Sequence, residues 1–197
     1  KPMCGFSDIT HLLLAIYSKT GNCSIHGMDI INGFGHPSSL TKKQNVTSFF
    51  TVLNNSVLNT AIFKGAQVLK HGKASGIVIG GWLNAIHDLY LTKYFPSIDN
   101  IILFWEAIDE EPNKIAMMLY SLRVSGFFER VTGMVVGTLT NCVEKEYFDC
   151  IPKLETIIQE SCEGYNFPII VNAAFGHGDK NCSFRYGEKI EINTEEL

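Results

Sequence analysis

Short apolar runs alternate with helical patterns in the second half of the chain, and this alternation constrains the fold more than any other feature of the sequence. Buried strands are predicted over residues 77–79, 101–105, 131–136 and 168–171. Helical patterns separate them, and one begins at Pro112, a residue favoured at the first position of a helix. Because parallel strands need such crossovers, the pattern predicts an α/β fold with a largely parallel sheet. Strands over 182–186 and 189–192, around Gly187, are predicted to form a closing hairpin.

A first helix is predicted over residues 8–18. Apolar side chains recur there at helical spacing, at Ile9, Leu12, Leu13 and Ile16. Ser7 precedes the helix, and two interpretations of it stay open at this point. Serine readily accepts hydrogen bonds from the free N–H groups of a first turn, so Ser7 could be an N-cap. The same exposed turn could instead present a nucleophile.

Two units are predicted along the chain, residues 1–70 and residues 71–197. Within the first, residues 32–45 are rich in Gly, Pro, Ser and Asn and are predicted to form a loop, followed by a helix over 46–62. Within the second, residues 143–163 are predicted to be mainly helical.

The composition excludes several classes of protein. Among 197 residues, 46% are apolar and 18% are charged, which is typical of a globular chain. The net charge is −4 and no basic cluster occurs, so a nucleic-acid partner is not expected. No apolar run is long enough to cross a bilayer and no signal-peptide pattern is visible, so we expect a cytoplasmic protein without a membrane partner.

The six cysteines are scattered and include no C-x-x-C pair. We therefore expect reduced thiols, and neither a metal nor another cofactor. Four Asn-x-Ser/Thr sequons begin at Asn22, Asn45, Asn54 and Asn181, and they would matter only in a secreted protein.

Three polar residues lie near the carboxyl ends of predicted strands, where the active sites of open α/β sheets are usually found. They are Ser7, Glu106 and His177, in chain order a hydroxyl, a carboxylate and an imidazole. These groups are the parts of a nucleophile–base–acid triad. Spacing alone leaves alternatives open, because Glu106 could face water and His177 could bond a backbone carbonyl.

Other candidates have weaker support. The Gly80-Gly81 pair could cradle an anion, but the phosphate-loop, dinucleotide-binding and Gly-x-Ser-x-Gly patterns are all absent. No role is assigned to the remaining histidines, which are His11, His26, His36, His71 and His87.

Several segments, in order, resemble the signatures of the LD-carboxypeptidase family of serine peptidases. They are residues 5–10 (GFSDIT), Gly80-Gly81, residues 102–106 (ILFWE), residues 122–131 (LRVSGFFERV) and residues 175–179 (FGHGD). The family includes muramoyl-tetrapeptide carboxypeptidases and microcin-immunity peptidases. The resemblance runs over nearly the whole chain.

The resemblance implies a metal-free Ser-Glu-His triad. Ser7 would be the nucleophile, His177 the general base and Glu106 the carboxylate that orients it. The backbone N–H of Asp8 would stabilise the oxyanion. The triad would then show two successive hydrogen bonds of about 3 Å, from serine to histidine and from histidine to glutamate.

The implied fold is a partial flavodoxin-like nucleophile domain followed by an α/β C-terminal domain. The family's first strands and a second oxyanion donor are expected upstream of the nucleophile, and this chain starts six residues before Ser7. We therefore expect either a fragment of a longer protein or another arrangement of that half. Trp82, where the family usually has Asn, and Met28, where Pro is common, are expected to alter the substrate pocket.

Three functions remain in competition. The resemblance favours hydrolysis of the L,D-peptide bond that holds a terminal D-amino acid on murein peptides, by a homodimer. The second is microcin-type hydrolysis of a peptidyl-nucleotide amide. The third is a catalytically silent peptide-binding domain.

Overall fold

A six-stranded sheet forms the centre of the molecule in a computed structural model, which describes residues 1–35, 40–55, 58–143 and 153–197. Its strands are β3 (Gln67–Lys70), β4 (Lys73–Trp82), β5 (Ile101–Ile108), β6 (Val131–Thr140), β7 (Ile169–Val171) and β9 (Lys189–Asn193). They lie in the order β3-β7-β6-β5-β4-β9. The four central strands are parallel, and the two edge strands, β3 and β9, are antiparallel to their neighbours. The predicted α/β fold with a largely parallel sheet is confirmed.

Five α-helices occur within the described residues. They are α1 (Thr10–Thr20), α2 (Leu40–Asn55), α3 (Leu83–Leu89), α4 (Pro112–Val124) and α5 (Leu154–Ser161). The first position of α4 is Pro112, and the inner face of this helix buries Ile115, Leu119 and Leu122. Strand β5 is buried over all residues but the last, as expected for a central strand of a parallel sheet with both faces covered. No helix in the described part of the chain is both long and apolar enough to span a membrane.

A second, three-stranded sheet joins the two ends of the chain. Strand β1 (Cys4–Gly5) pairs in parallel with β2 (Ile25–His26), and β2 pairs with β8 (Phe184–Arg185) in antiparallel orientation. The tail therefore differs from the predicted closing hairpin, because β8 joins the small sheet and β9 pairs with β4 in the large one. The chain turns between them at Gly187, whose φ is +80°.

Helix boundaries differ from the prediction in the first 70 residues. Residues 40–45, predicted as part of a loop, form the first turns of α2, because they contain neither glycine nor proline and the long-range contacts of α2 outweigh their polarity. The helix predicted over 46–62 belongs to α2 up to Asn55, and a short 3₁₀ turn follows at Thr60–Phe63. Residues 36–39, 56–57 and 144–152, which include parts of the predicted loop and helices, lie outside the described residues.

The buried face of α1 also differs from the predicted one. Thr10, Leu13 and Leu14 are buried, whereas Leu12 is half exposed. The helix is rotated toward Thr10 because the hydroxyl of this residue accepts a hydrogen bond from the Trp82 N–H at the end of β4, at 3.2 Å.

The predicted boundary near residue 70 stays a prediction. Segments from both sides of it share sheets, since β3 pairs with β7 and β8 pairs with β2. The five described cysteines, Cys4, Cys23, Cys142, Cys162 and Cys182, are free thiols, and Cys150 lies outside the described residues.

Candidate active site

Glu106 and His177, 71 residues apart in the chain, form a short hydrogen bond. Nδ1 of His177 lies 2.7 Å from Oε2 of Glu106. Glu106 is fully buried and the side chain of His177 is 13% exposed. An ionised carboxylate can only accept, so the imidazole donates its Nδ1–H and keeps Nε2 free to take up a proton. The pair can therefore orient an imidazole and stabilise its cation.

An irregularity in the sheet accompanies Glu106. Strand β5 does not end at this residue, as the sequence suggested, but continues to Ile108. The register between β5 and β6 shifts here: Trp105 pairs with Val136, while Ala107 pairs with Leu139. The extra residue on β6 is a β-bulge, a feature common next to active sites. Beside the bulge, the Thr138 N–H donates to the Phe175 carbonyl at 2.8 Å. This bond fixes the start of the loop that carries His177, residues 174–182, which we call the histidine loop.

The backbone of Gly176 presses directly on the Glu106 side chain. A Cβ at this position would lie 2.8 Å from both Cβ and Cγ of Glu106, and the φ of Gly176 is +103°. Only glycine permits this conformation and this close approach without strain. The glycine before His177 thus allows the loop to bring the imidazole onto the carboxylate.

Ser7 has a strained backbone and does not act as a helix cap. Its φ is +62°, in the left-handed region that non-glycine residues rarely adopt. It begins a 3₁₀ turn, Ser7–Ile9, which runs directly into α1, and neither helical segment has a side-chain cap. The capping interpretation of Ser7 is therefore wrong for the described structure, and strain of this kind at a polar residue is typical of functional sites.

The Ser7 turn is fixed to the same end of the sheet as Glu106. The Thr10 hydroxyl accepts a hydrogen bond from the backbone N–H of Trp82. The Thr10 side chain also lies close to the backbone of Gly81, where a Cβ would be 2.6 Å from it. Trp82 is the register partner of Glu106 in the neighbouring strand. The first turn of α1 is thereby held next to the strand that carries the carboxylate.

Phe6, the residue before Ser7, contacts His177, but no hydrogen bond joins Ser7 to His177 in the described part of the chain. The rings of Phe6 and His177 lie 4.9 Å apart between centroids. Of the two successive hydrogen bonds expected for a triad, the structure thus contains the one between His177 and Glu106. Asp8, whose N–H is the expected oxyanion donor, is exposed in the turn that follows Ser7.

The two departures from the family pattern lie in different places. Trp82 ends β4, and its indole packs edge-on against His11 with centroids 6.3 Å apart. Met28 is buried in a small separate core with Ile25, Phe49 and Val52.

Within the described residues, no group of three or more His, Cys, Asp or Glu side chains is arranged to hold a metal ion.

His26, to which the sequence assigned no role, is buried beside this site. It stacks on Phe184 with centroids 4.6 Å apart and meets Phe6 and Phe175 edge-on. Neither ring nitrogen has a hydrogen-bond partner among the described residues. Burial, with a smaller contribution from the nearby His177, lowers the pKa of His26 from 6.5 to about 3. The imidazole is therefore a neutral aromatic element of the core.

Acid is expected to destabilise the protein through His26. Above pH 6.5 the imidazole is neutral in both states. Below that pH the unfolded chain binds a proton that the folded protein excludes down to about pH 3. Stability should therefore fall by roughly 1.4 kcal/mol per pH unit in this window. Urea unfolding of the wild type and His26→Phe between pH 4 and 8 measures this, since the variant lacks that slope; parallel curves for the two proteins would contradict the assignment.

Most of this chain matches a known protein family. Residues 75–192 match the family described as LD-carboxypeptidase C-terminal domain. The chain is 29% identical over 196 residues to a Bacillus subtilis protein named "Probable murein peptide carboxypeptidase", covering 98% of this chain and 60% of that protein. It is 27% identical over 229 residues to the Microcin C7 self-immunity protein MccF of Escherichia coli, covering 99% of this chain and 63% of that protein.

Solved structures show the same fold. A structure of MccF in complex with glutamyl sulfamoyl guanosine superposes with a TM-score of 0.85 at 19% identity, covering all of this chain and 65% of that one. At this identity the likeness concerns the fold alone. The chain thus spans less than two thirds of the length of these relatives.

Proposed function

The chain belongs to the LD-carboxypeptidase family, a family of serine-type carboxypeptidases, and we propose that it carries the catalytic triad of such an enzyme. The proposed reaction is hydrolysis of the L,D-peptide bond that holds a terminal D-amino acid on a murein peptide. The name of the similar Bacillus protein supports murein peptides as the substrate class.

Each residue of the proposed triad has one task. The Ser7 hydroxyl attacks the carbonyl carbon of the scissile bond while Nε2 of His177 takes its proton. The Asp8 N–H donates to the oxyanion that forms. The protonated imidazole, stabilised by Glu106, then gives the proton to the leaving amine, and water hydrolyses the acyl-serine by the same route.

The hydrogen bond of 2.7 Å between His177 and Glu106 is the observation that carries this proposal. The partly exposed imidazole of His177 binds a fully buried carboxylate beside the strained Ser7 turn, which is the arrangement that a general base and its orienting acid need. The strain itself is a second support, since positive φ at serine costs about 1–2 kcal/mol and persists only where the surroundings impose it.

Hydrolysis of a peptidyl-nucleotide amide is the second candidate. Its support is the similarity to MccF, whose printed name is that of a microcin self-immunity protein. The same triad would serve both reactions, so the two candidates differ in what the pocket accepts after the scissile bond. Trp82, at the carboxyl end of β4 and paired in register with Glu106, is placed to influence that choice.

A comparison of the two substrates with the full-length protein tests the proposal. Incubation with a murein tetrapeptide should release the terminal D-alanine, and incubation with a peptidyl-nucleotide should be slower. The reverse preference would support the second candidate. Saturable peptide binding without turnover would contradict both and favour a silent binding domain. The cytoplasmic location and the homodimer stay predictions that fractionation and sedimentation can check.

A further inference from the structure

We propose that Asn45, on α2, is a positioning residue that fixes the loop carrying His177. This inference rests on the proposed function, in which His177 is the general base. The side-chain amide of Asn45 binds the backbone of the loop on both sides of Lys180: its Nδ2 donates to the Asp179 carbonyl at 3.0 Å, and its Oδ1 accepts from the Asn181 N–H at 2.9 Å. One side chain thus satisfies two backbone groups that are remote from α2 in sequence.

The histidine loop needs such support because of its own composition. Residues 174–182 form no helix or strand, and their base is closed by a hydrogen bond of 2.8 Å from the Cys182 N–H to the Ala174 carbonyl. Gly176 and Gly178 flank His177, and glycine gives a backbone the widest choice of conformations. Contacts from outside the loop must therefore select the conformation that places the imidazole on Glu106.

Asn181 links Asn45 on α2 to Gly176, the residue before His177. While its N–H binds Asn45, its side-chain Oδ1 accepts from the Gly176 N–H at 3.3 Å. Asn45 is 9% exposed and Asn181 is 7% exposed, so water does not substitute for these bonds. Hydrogen bonds thus connect α2 to Asn181 and Asn181 to Gly176, and the backbone of Gly176 packs against the Glu106 side chain.

The sequons at Asn45 and Asn181 acquire an explanation from the same contacts. Both side chains are buried, the Asn45 Nδ2 donates to the Asp179 carbonyl, and the Asn181 Oδ1 accepts from the Gly176 N–H. Burial therefore makes both poor glycan acceptors in the folded protein. In the folded protein these two side chains hold one loop instead.

Ser48 provides a matched control within the chain. It lies about one turn after Asn45 on α2, and its Oγ accepts from the Ser183 N–H at 2.9 Å. Like Asn45, it is buried and joins α2 to the segment after the histidine loop. Ser183 lies just outside the closed loop, and the Ser48 hydroxyl also contacts the Cys182 thiol at the base of the loop. Neither contact binds the backbone between Gly176 and Asn181, so losing them removes similar bonds without releasing His177.

Kinetics of the full-length protein on a murein tetrapeptide test the proposal. Asn45→Ala is expected to lower kcat by roughly 10–100-fold with KM nearly unchanged, because a displacement of about 1 Å at a catalytic group costs rates of this order. Ser48→Ala should stay within about threefold of the wild-type kcat while losing similar thermal stability. Equal losses of kcat in the two variants would overturn the proposal, since they would indicate general loosening. Should Asn45→Ala not fold, the isosteric Asn45→Asp, which removes the donor to Asp179, decides by the same criterion.

The ring signals of His177 give a readout that does not depend on turnover. In the full-length protein with labelled histidine, the Nδ1–H that donates to Glu106 should give a protected proton resonance in the wild type and in Ser48→Ala. Asn45→Ala should lose or broaden it, and an unchanged resonance would overturn the inference. If the wild type does not hydrolyse the peptide, the proposed function fails while this measurement still tests the positioning role.

Discussion

Replacing Ser7 with glycine is expected to abolish hydrolysis of the murein peptide and at the same time to stabilise the protein. Loss of the nucleophile should lower kcat by roughly 10⁴-fold or more. Relief of the positive φ at this position, +62°, should return about 1–2 kcal/mol, more than the ~0.5–1 kcal/mol that the extra freedom of an unfolded glycine costs. Chemical denaturation and peptide assays on one preparation of the full-length protein measure both effects.

Two variants separate chemistry from backbone strain. Ser7→Ala removes the hydroxyl but keeps a Cβ at positive φ, so it should be inactive with near wild-type stability. Asn100→Gly changes a residue of similar φ, +55°, at the opposite end of β5 from Glu106, and should leave the rate unchanged. A full-length Ser7→Ala protein that keeps its rate would show that Ser7 is not the nucleophile.

The positions of Glu106 and His177 could be predicted from local sequence, although their roles in a triad were implied only by the family resemblance. Each is a polar residue near the end of an apolar strand, and His177 has glycines on both sides. Strand ends of a parallel sheet meet at one edge, so placing the two residues together required only the order of the elements. The largely parallel sheet followed from the same alternation of strands and helices.

The strain at Ser7 and the role of Asn45 could not be predicted in this way. A positive φ is signalled in sequence by glycine or asparagine, whereas serine at such a position is imposed by contacts from elsewhere, here the attachment of Thr10 to the end of β4. Asn45 binds residues 134 and 136 positions away, whereas its polar surroundings in the sequence predict a loop. Long-range side-chain to backbone bonds leave no periodic signal in the sequence.

Glu106→Gln is expected to lower kcat on the murein peptide by roughly 10³–10⁴-fold while leaving the fold intact. Glutamine has the same shape, so the close contact with Gly176 and the buried position are kept. The amide carries no charge to stabilise the imidazolium that forms when His177 takes the proton from Ser7. If its NH₂ group faces Nδ1, it also selects the tautomer that leaves no lone pair on Nε2. Steady-state kinetics with saturating peptide measure the loss.

Glu110→Gln is the matched control for charge. This carboxylate follows β5 on the same side of the sheet and accepts a hydrogen bond of 2.7 Å from Nδ2 of Asn84, which a glutamine oxygen can also accept. The substitution removes one negative charge near the site without touching His177, so a rate within about threefold of the wild type is expected. If both variants lose activity equally, the net charge of this edge is what matters. If Glu106→Gln keeps a rate within about tenfold of the wild type, the carboxylate does not orient the base, because that task depends on its charge and its acceptor geometry together.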